Sequence, residues 1–203
     1  MSVVDLCHRA TADWDAFNRC LRSSDSLIFF EKAIPVVSDP PGSIDLCVGS
    51  RWFDPTQDRF YAVEDSGLQV KAHSCVVIEV EERLALPHNV MGFVTGKGRF
   101  IFQSALISTG KIDPGFDGRL RIGFFNASSQ VIKLQRNDPF CSCCFLNTES
   151  EAKHPKRYET EPLPRTSPIP RSVLMRRFFS ENWKAIIPIA VSLLALLIAF
   201  FKK

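Results

Sequence analysis

Hydrophobic and polar positions along this chain fall into three regimes. Between residues 26 and 146, apolar residues recur in short runs broken by Gly, Pro, Asn or Asp. Closely spaced β-strands have this signature. Leu120, Ile122 and Phe124 alternate with Arg119 and Arg121, as a half-buried strand requires. Val76, Val77, Ile78 and Val80 form a strongly β-prone run. Ahead of this region Trp14, Phe17 and Leu21 share one face at helical spacing. Thr11 is the predicted cap, with Asp13 and Asp15 in the first turn. The pattern predicts a docking helix of about three turns. Many short strands and one early helix predict a mainly β domain, a compact barrel or sandwich.

The pattern changes after residue 146. Residues 147–182 are polar and basic and carry Pro162, Pro164, Pro168 and Pro170, which predicts an extended linker. Residues 185–201 carry no charge, with Trp183 and Lys184 before them and Lys202 and Lys203 after. At about 1.5 Å per residue the run is roughly 26 Å long, close to a hydrocarbon core. Ser192 is its one polar residue besides the backbone, so an amphipathic face is lacking and a transmembrane helix is expected. Arg171, Arg176, Arg177 and Lys184 orient the N-terminal side toward the cytosol. The expected organisation is a helical segment at 1–24, a β domain at 25–146, a linker at 147–182 and a membrane tail anchor at 183–203.

Composition narrows the function classes. The formal net charge over 203 residues is +3, too small to argue for nucleic acid, and the basic excess near the tail suits an anionic membrane surface. The seven cysteines and an opening that includes Asp5, His8 and Arg9 predict reduced thiols in a cytosolic compartment. Cys141-Ser142-Cys143-Cys144 contains one CxxC, but a strand would split Cys141 and Cys143 from Cys144 across its two faces. Core packing is therefore favoured over a metal site.

Candidate chemistry gathers at Lys111-Ile112-Asp113-Pro114-Gly115-Phe116-Asp117-Gly118. Pro114 fixes φ and the glycines permit positive φ, so a tight hairpin turn is expected, holding the Phe116 ring outward beside the Asp113 carboxylate. Gly96-Lys97-Gly98-Arg99 offers backbone N–H groups and two cations, either as a phosphate cradle or as a plain basic turn. Asp45, on the predicted strand 43–49, is either a hydrogen-bonded surface residue or a ligand for a metal–phosphate complex.

These segments together resemble the dCTP deaminase / trimeric dUTPase superfamily, from about residue 26 to residue 146. Ser43-Ile44-Asp45-Leu46-Cys47-Val48-Gly49 looks like its early strand. Leu84-Ala85-Leu86-Pro87-His88-Asn89 looks like its Leu-Pro loop, and the Asp113-Pro114-Gly115-Phe116 turn is typical of deaminase-like members. The resemblance implies a distorted dUTPase-like β-barrel, a homotrimer, and a deoxynucleoside triphosphate ligand carrying Mg2+. It implies Asp113 as the base, with Lys97, Arg99, Phe116, Asp45 and Thr109 at the nucleotide and no metal ligand from the protein. It also puts a catalytic glutamate where this chain has Gly123, and a glycine cannot shuttle a proton. The dUTPase branch carries a glutamine where Ser142 stands, and a glycine-rich arm that is absent here. The implied function is a membrane-tethered nucleotide-binding module without turnover, against the alternative of an active dUTP pyrophosphatase or dCTP deaminase.

Overall fold

Asp5 and Asp13 each convert extended backbone into a short helix. Asp5 accepts from the Cys7 N–H and opens α1 (Leu6–Arg9). Asp13 accepts from the Asp15 and Ala16 N–H groups and opens α2 (Trp14–Arg19), after the two-residue β1 (Ala10–Thr11). The cap is thus Asp13 rather than Thr11, whose hydroxyl accepts from the Asp13 N–H at 3.0 Å. The cap falls two residues later and the helix ends at Arg19, so α2 has six residues instead of about three turns.

The computed structural model describes residues 2–31 and 42–152, together with Met175, Asn182, Trp183, Ile187, Pro188, Val191 and Ser192. The chain divides into two units, Met1–Pro164 and Arg165–Lys203. In the first, the strands after α2 are β2 (Ile28–Phe30), β3 (Ser43–Asp54), β4 (Arg59–Ala62), β5 (Leu68–Val70), β6 (Ser74–Ala85) and β7 (Val90–Gly96). The helix α3 (Gly98–Ile101) follows, then β8 (Ala105–Ile107), β9 (Gly110–Ile112), β10 (Asp117–Asn126), β11 (Ile132–Leu134) and β12 (Pro139–Asn147). The mainly β expectation is met. Gly98 and Arg99, read as part of a phosphate cradle or a basic turn, open the helix α3.

Strand β3 takes part in three ladders. Its first half pairs with β12, Asp45 opposite Ser142, and its second half pairs with β6 and β4. Gly49 sits at the changeover. A Cβ there would lie 2.5 Å from the Glu79 carbonyl oxygen and 2.9 Å from Val80 backbone atoms, so only glycine lets the strands approach. The order β1-β2-β6-β3-β12-β7-β9 wraps a core that includes Phe30, Phe124, Phe140 and Phe145. Phe100 meets Phe124 edge-on at 5.3 Å, which attaches α3 to this core. Cys141 and Cys143 are buried in the core, and none of the seven cysteines is in a disulfide.

The N-terminus is laced to the end of β12. Val4 N–H donates to Phe145 O at 2.9 Å, Asn147 N–H donates to Ser2 O at 2.9 Å, and Val3 bridges Leu146. In the second unit, Trp183, Ile187 and Val191 are helical and exposed. Among the described residues no helix is long and apolar enough to cross a membrane. Most of the expected span at 183–203 lies outside those residues.

Candidate functional site

Residues 113–116 close a type II turn. Pro114 takes its second position and Gly115, at φ 83°, its third, while Phe116 N–H donates to Asp113 O at 3.2 Å. The expected hairpin is not formed. β9 pairs with β7 and β10 pairs with β6 and β8, so the turn is a corner between ladders. Two backbone bonds pin it to the Leu-Pro loop: Leu86 N–H to Phe116 O at 2.8 Å and Gly115 N–H to Pro87 O at 3.3 Å. The Phe116 ring is half-buried and packs on the core instead of pointing outward, because this pinning draws the turn onto the sheet. Asp113 remains accessible, with Lys111 Nζ 2.6 Å from its Oδ1. Asp117 is gripped by Arg83 through two bonds of 3.1 Å.

Asp45, Lys97 and Arg99 come together at a different place. Lys97 Nζ pairs with Asp45 Oδ2, and Ser142 Oγ donates to Asp45 Oδ1 at 2.7 Å. Burial by itself would raise the Asp45 carboxyl. Hydrogen bonds from Lys97 and Ser142, with the charges of Lys97 and Arg99, outweigh it and hold the carboxyl below its usual range. Arg99 donates to Pro139 O at 2.6 Å and lies over the Phe100 ring. Thr109 is exposed between β8 and β9.

Five of the six candidates therefore form two groups, Asp45 with Lys97 and Arg99, and Asp113 with Phe116. Among the described residues no hydrogen bond or ion pair joins Lys97, Arg99 or Asp45 to Asp113 or Phe116. In the β7–β9 ladder Ile112 stands opposite Gly92, five residues before Lys97. At about 3.3 Å per residue the groups are roughly 17 Å apart along the strand.

Gly123 lies mid-strand in β10, opposite Val77 of β6. Its N–H donates to Ser108 Oγ at 2.8 Å and its carbonyl accepts from Ser108 N–H at 2.8 Å. A Cβ at this position would lie 3.2 Å from Phe125 Cε2 and 3.3 Å from Ser108 Oγ. The space beside Gly123 is thus occupied by an aromatic ring and a hydroxyl.

Pattern reading missed two features near this strand. Glu79, buried on β6, receives three bonds from Arg51, at 2.8 and 3.1 Å to Oε1 and 2.9 Å to Oε2, and its Oε2 lies 3.4 Å from Arg121 Nε. Phe60 carries both guanidinium groups over its ring. The alternation of β10 exposed the arginines, but only the register Arg121 opposite Glu79 joins them to their acid. The second feature is a cleft of about 370 Å³ where α2 meets the 115–117 turn. Nothing in the local pattern brings those two segments together.

Residues 48–148 match a family model described as dCTP deaminase-like. The dCTP deaminase of Thermococcus kodakarensis is 30% identical over 118 residues, covering 58% of this chain and 75% of that protein. The dCTP deaminase of Thermococcus sibiricus is 32% identical over 120 residues, covering 58% and 74%. Among solved structures, the 2'-deoxycytidine 5'-triphosphate deaminase of Agrobacterium tumefaciens is similar at TM-score 0.49 and 18% identity, over 63% of this chain and 45% of that one. The EIAV dUTPase is similar at TM-score 0.47 and 23% identity, over 66% and 99%. The chain belongs to the dCTP deaminase-like family.

Proposed function

We propose that this protein binds a deoxynucleoside triphosphate without deaminating it, as a trimeric module tethered to a membrane. The observation that carries the reading is Gly123. The family resemblance puts a proton-shuttling glutamate at this position, and here Phe125 and Ser108 close the space. No carboxylate on β10 takes its place, since the strand's one acid, Asp117, is committed to Arg83 at the far end.

The remaining groups suit binding. Asp113 and Phe116 present an acceptor and a ring on a pinned turn. Lys97 and Arg99 supply positive charge, Lys97 on exchanging its Asp45 partner for a phosphate. Among the described residues no three His, Cys, Asp or Glu side chains stand together as a metal cage. Magnesium accordingly enters this reading on the triphosphate, whose oxygens it would neutralise. Ile101 on α3, Phe102 at its C-cap, Leu106 on β8 and Phe125 on β10 are exposed apolar residues. That patch, and the separation of the two candidate groups, support assembly with further copies. The charge-free run at 185–201 and the exposed Trp183, Ile187 and Val191 support the tether.

The test incubates the full-length protein with dCTP or dUTP and magnesium, measuring nucleotide binding, ammonia and pyrophosphate. Binding with neither product is expected. Robust ammonia release from dCTP, or pyrophosphate release lost in Asp113→Asn, would replace this reading with an active enzyme.

A further inference from the structure

We infer that the cleft between α2 and the 115–117 turn is a second ligand site, for a neutral, flat heteroaromatic molecule carrying an N–H donor. The cleft shares Phe116 with the nucleotide reading but contains neither Asp113 nor the Lys97 group, so the two sites can be tested separately.

Its size fits one small molecule and no more. At about 370 Å³ it lies at the lower end of small-molecule pockets and cannot take a helix. Its walls are apolar and aromatic, from Trp14, Phe17, Leu21, Leu86 and Phe116. They are also fixed in place. Trp14 packs on Phe17 and meets Phe29 edge-on at 4.8 Å, and Phe116 is held by the turn's backbone bonds. Rigid rings favour a flat, π-bearing guest.

The polar groups set the rest of the chemistry. Asn18 spends its Nδ2 on Trp14 O at 3.0 Å, which leaves its Oδ1 as the acceptor. Each oxygen of Asp117 receives one bond from Arg83, and a carboxylate oxygen has capacity for another. The third polar side chain of the lining, His88, accepts from Arg22 Nε at 3.3 Å through its Nδ1. Asn18 and Asp117 both offer acceptors, so a guest carrying an N–H donor matches them. Arg83 neutralises Asp117 and lies 5.2 Å from the Trp14 ring centroid, so the cleft carries no net charge to attract an ion. A charged ligand would lose its hydration there without a partner.

Benzimidazole is a suitable probe and 1-methylbenzimidazole, which lacks the N–H, its control. Saturation-transfer NMR on the full-length protein at neutral pH is expected to show benzimidazole bound with a Kd of about 1 mM. The methylated control should bind about tenfold more weakly. Trp14→Ala and Asn18→Leu should each weaken benzimidazole about tenfold, whereas Asn18→Asp, which keeps an acceptor, and Asp113→Asn should retain it. Thermal melts monitored by circular dichroism establish that each variant is folded. Absence of binding, or equal binding to Asn18→Leu and the wild type, would overturn the site. Equal binding of the methylated control would overturn the assigned donor chemistry. Loss of dCTP binding with benzimidazole binding intact would count against the nucleotide reading alone.

Discussion

Ser108 and Gly123 clasp each other across neighbouring strands. The serine hydroxyl accepts the glycine N–H at 2.8 Å, and the glycine carbonyl accepts the serine N–H at the same distance. This exchange fixes the backbone of β10 at the place where the family resemblance expects an acid, while the Phe125 ring covers it.

Restoring that acid needs space as well as a carboxylate. Gly123→Glu alone should leave ammonia release from dCTP undetectable: the ring can yield to a Cβ, but the longer glutamate side chain must extend into the space where Phe125 stands. Gly123→Glu combined with Phe125→Ala should yield measurable release. A coupled ammonia assay on both variants checks this.

Two glycines in the same sheet should respond oppositely to alanine. Gly49→Ala places a Cβ 2.5 Å from rigid backbone at Glu79 and should cost about 3 kcal/mol. Gly123→Ala meets the end of an exposed ring that can rotate away, and should change stability by less than about 1 kcal/mol. Urea titration of the two variants measures the contrast.

Glu79→Gln removes a carboxylate that satisfies Arg51 and Arg121. Breaking a buried pair costs about 3–5 kcal/mol; with Arg51 side chain 55% exposed, the expected loss falls to about 2 kcal/mol. Chemical denaturation at neutral pH reads it directly.

Asp45 makes the fold acid-sensitive in a defined direction. Its folded carboxyl lies below the unfolded value of about 4. Its contribution is therefore complete above about pH 4 and is lost as pH falls through the lower, folded value. Asp45→Asn should flatten the acid limb of the stability profile, measured by Tm between neutral pH and pH 3 as a rough lower limit.

The thiols should resist alkylation in the native state. Burial first, and the Glu82 charge second, push the Cys47 and Cys141 thiols up to about 12. Native protein treated with iodoacetamide should be modified first at exposed Cys7, with Cys47 and Cys141 reacting only after denaturation. Peptide mass mapping distinguishes the two.

Local rules carried the sequence reading as far as single strands. Alternation identified the inward face of β10, with Ile122 and Phe124 buried, and turn chemistry identified Pro114 and Gly115. Pairing was not legible, since β9 and β10 flank a turn yet join different partners. The outward setting expected for Phe116 failed for the same reason: its fate depends on two bonds to residues 86 and 87, distant in sequence. The family motifs located Asp113, Lys97 and Arg99 as residues, whereas their division into two groups depends on the β7–β9 register. The Lys97–Asp45 pair likewise needs β3, β7 and β12 side by side.

The stitch between Ser2 and Asn147 has a practical meaning for anyone labelling this molecule. Both edges of the folded region meet at one spot on its surface, so a fluorophore coupled near the first residues reports on the doorway through which the chain departs. By the same geometry, a short peptide bridging the two edges would yield a rearranged chain, opened at a loop such as 55–58, whose strands need not change neighbours.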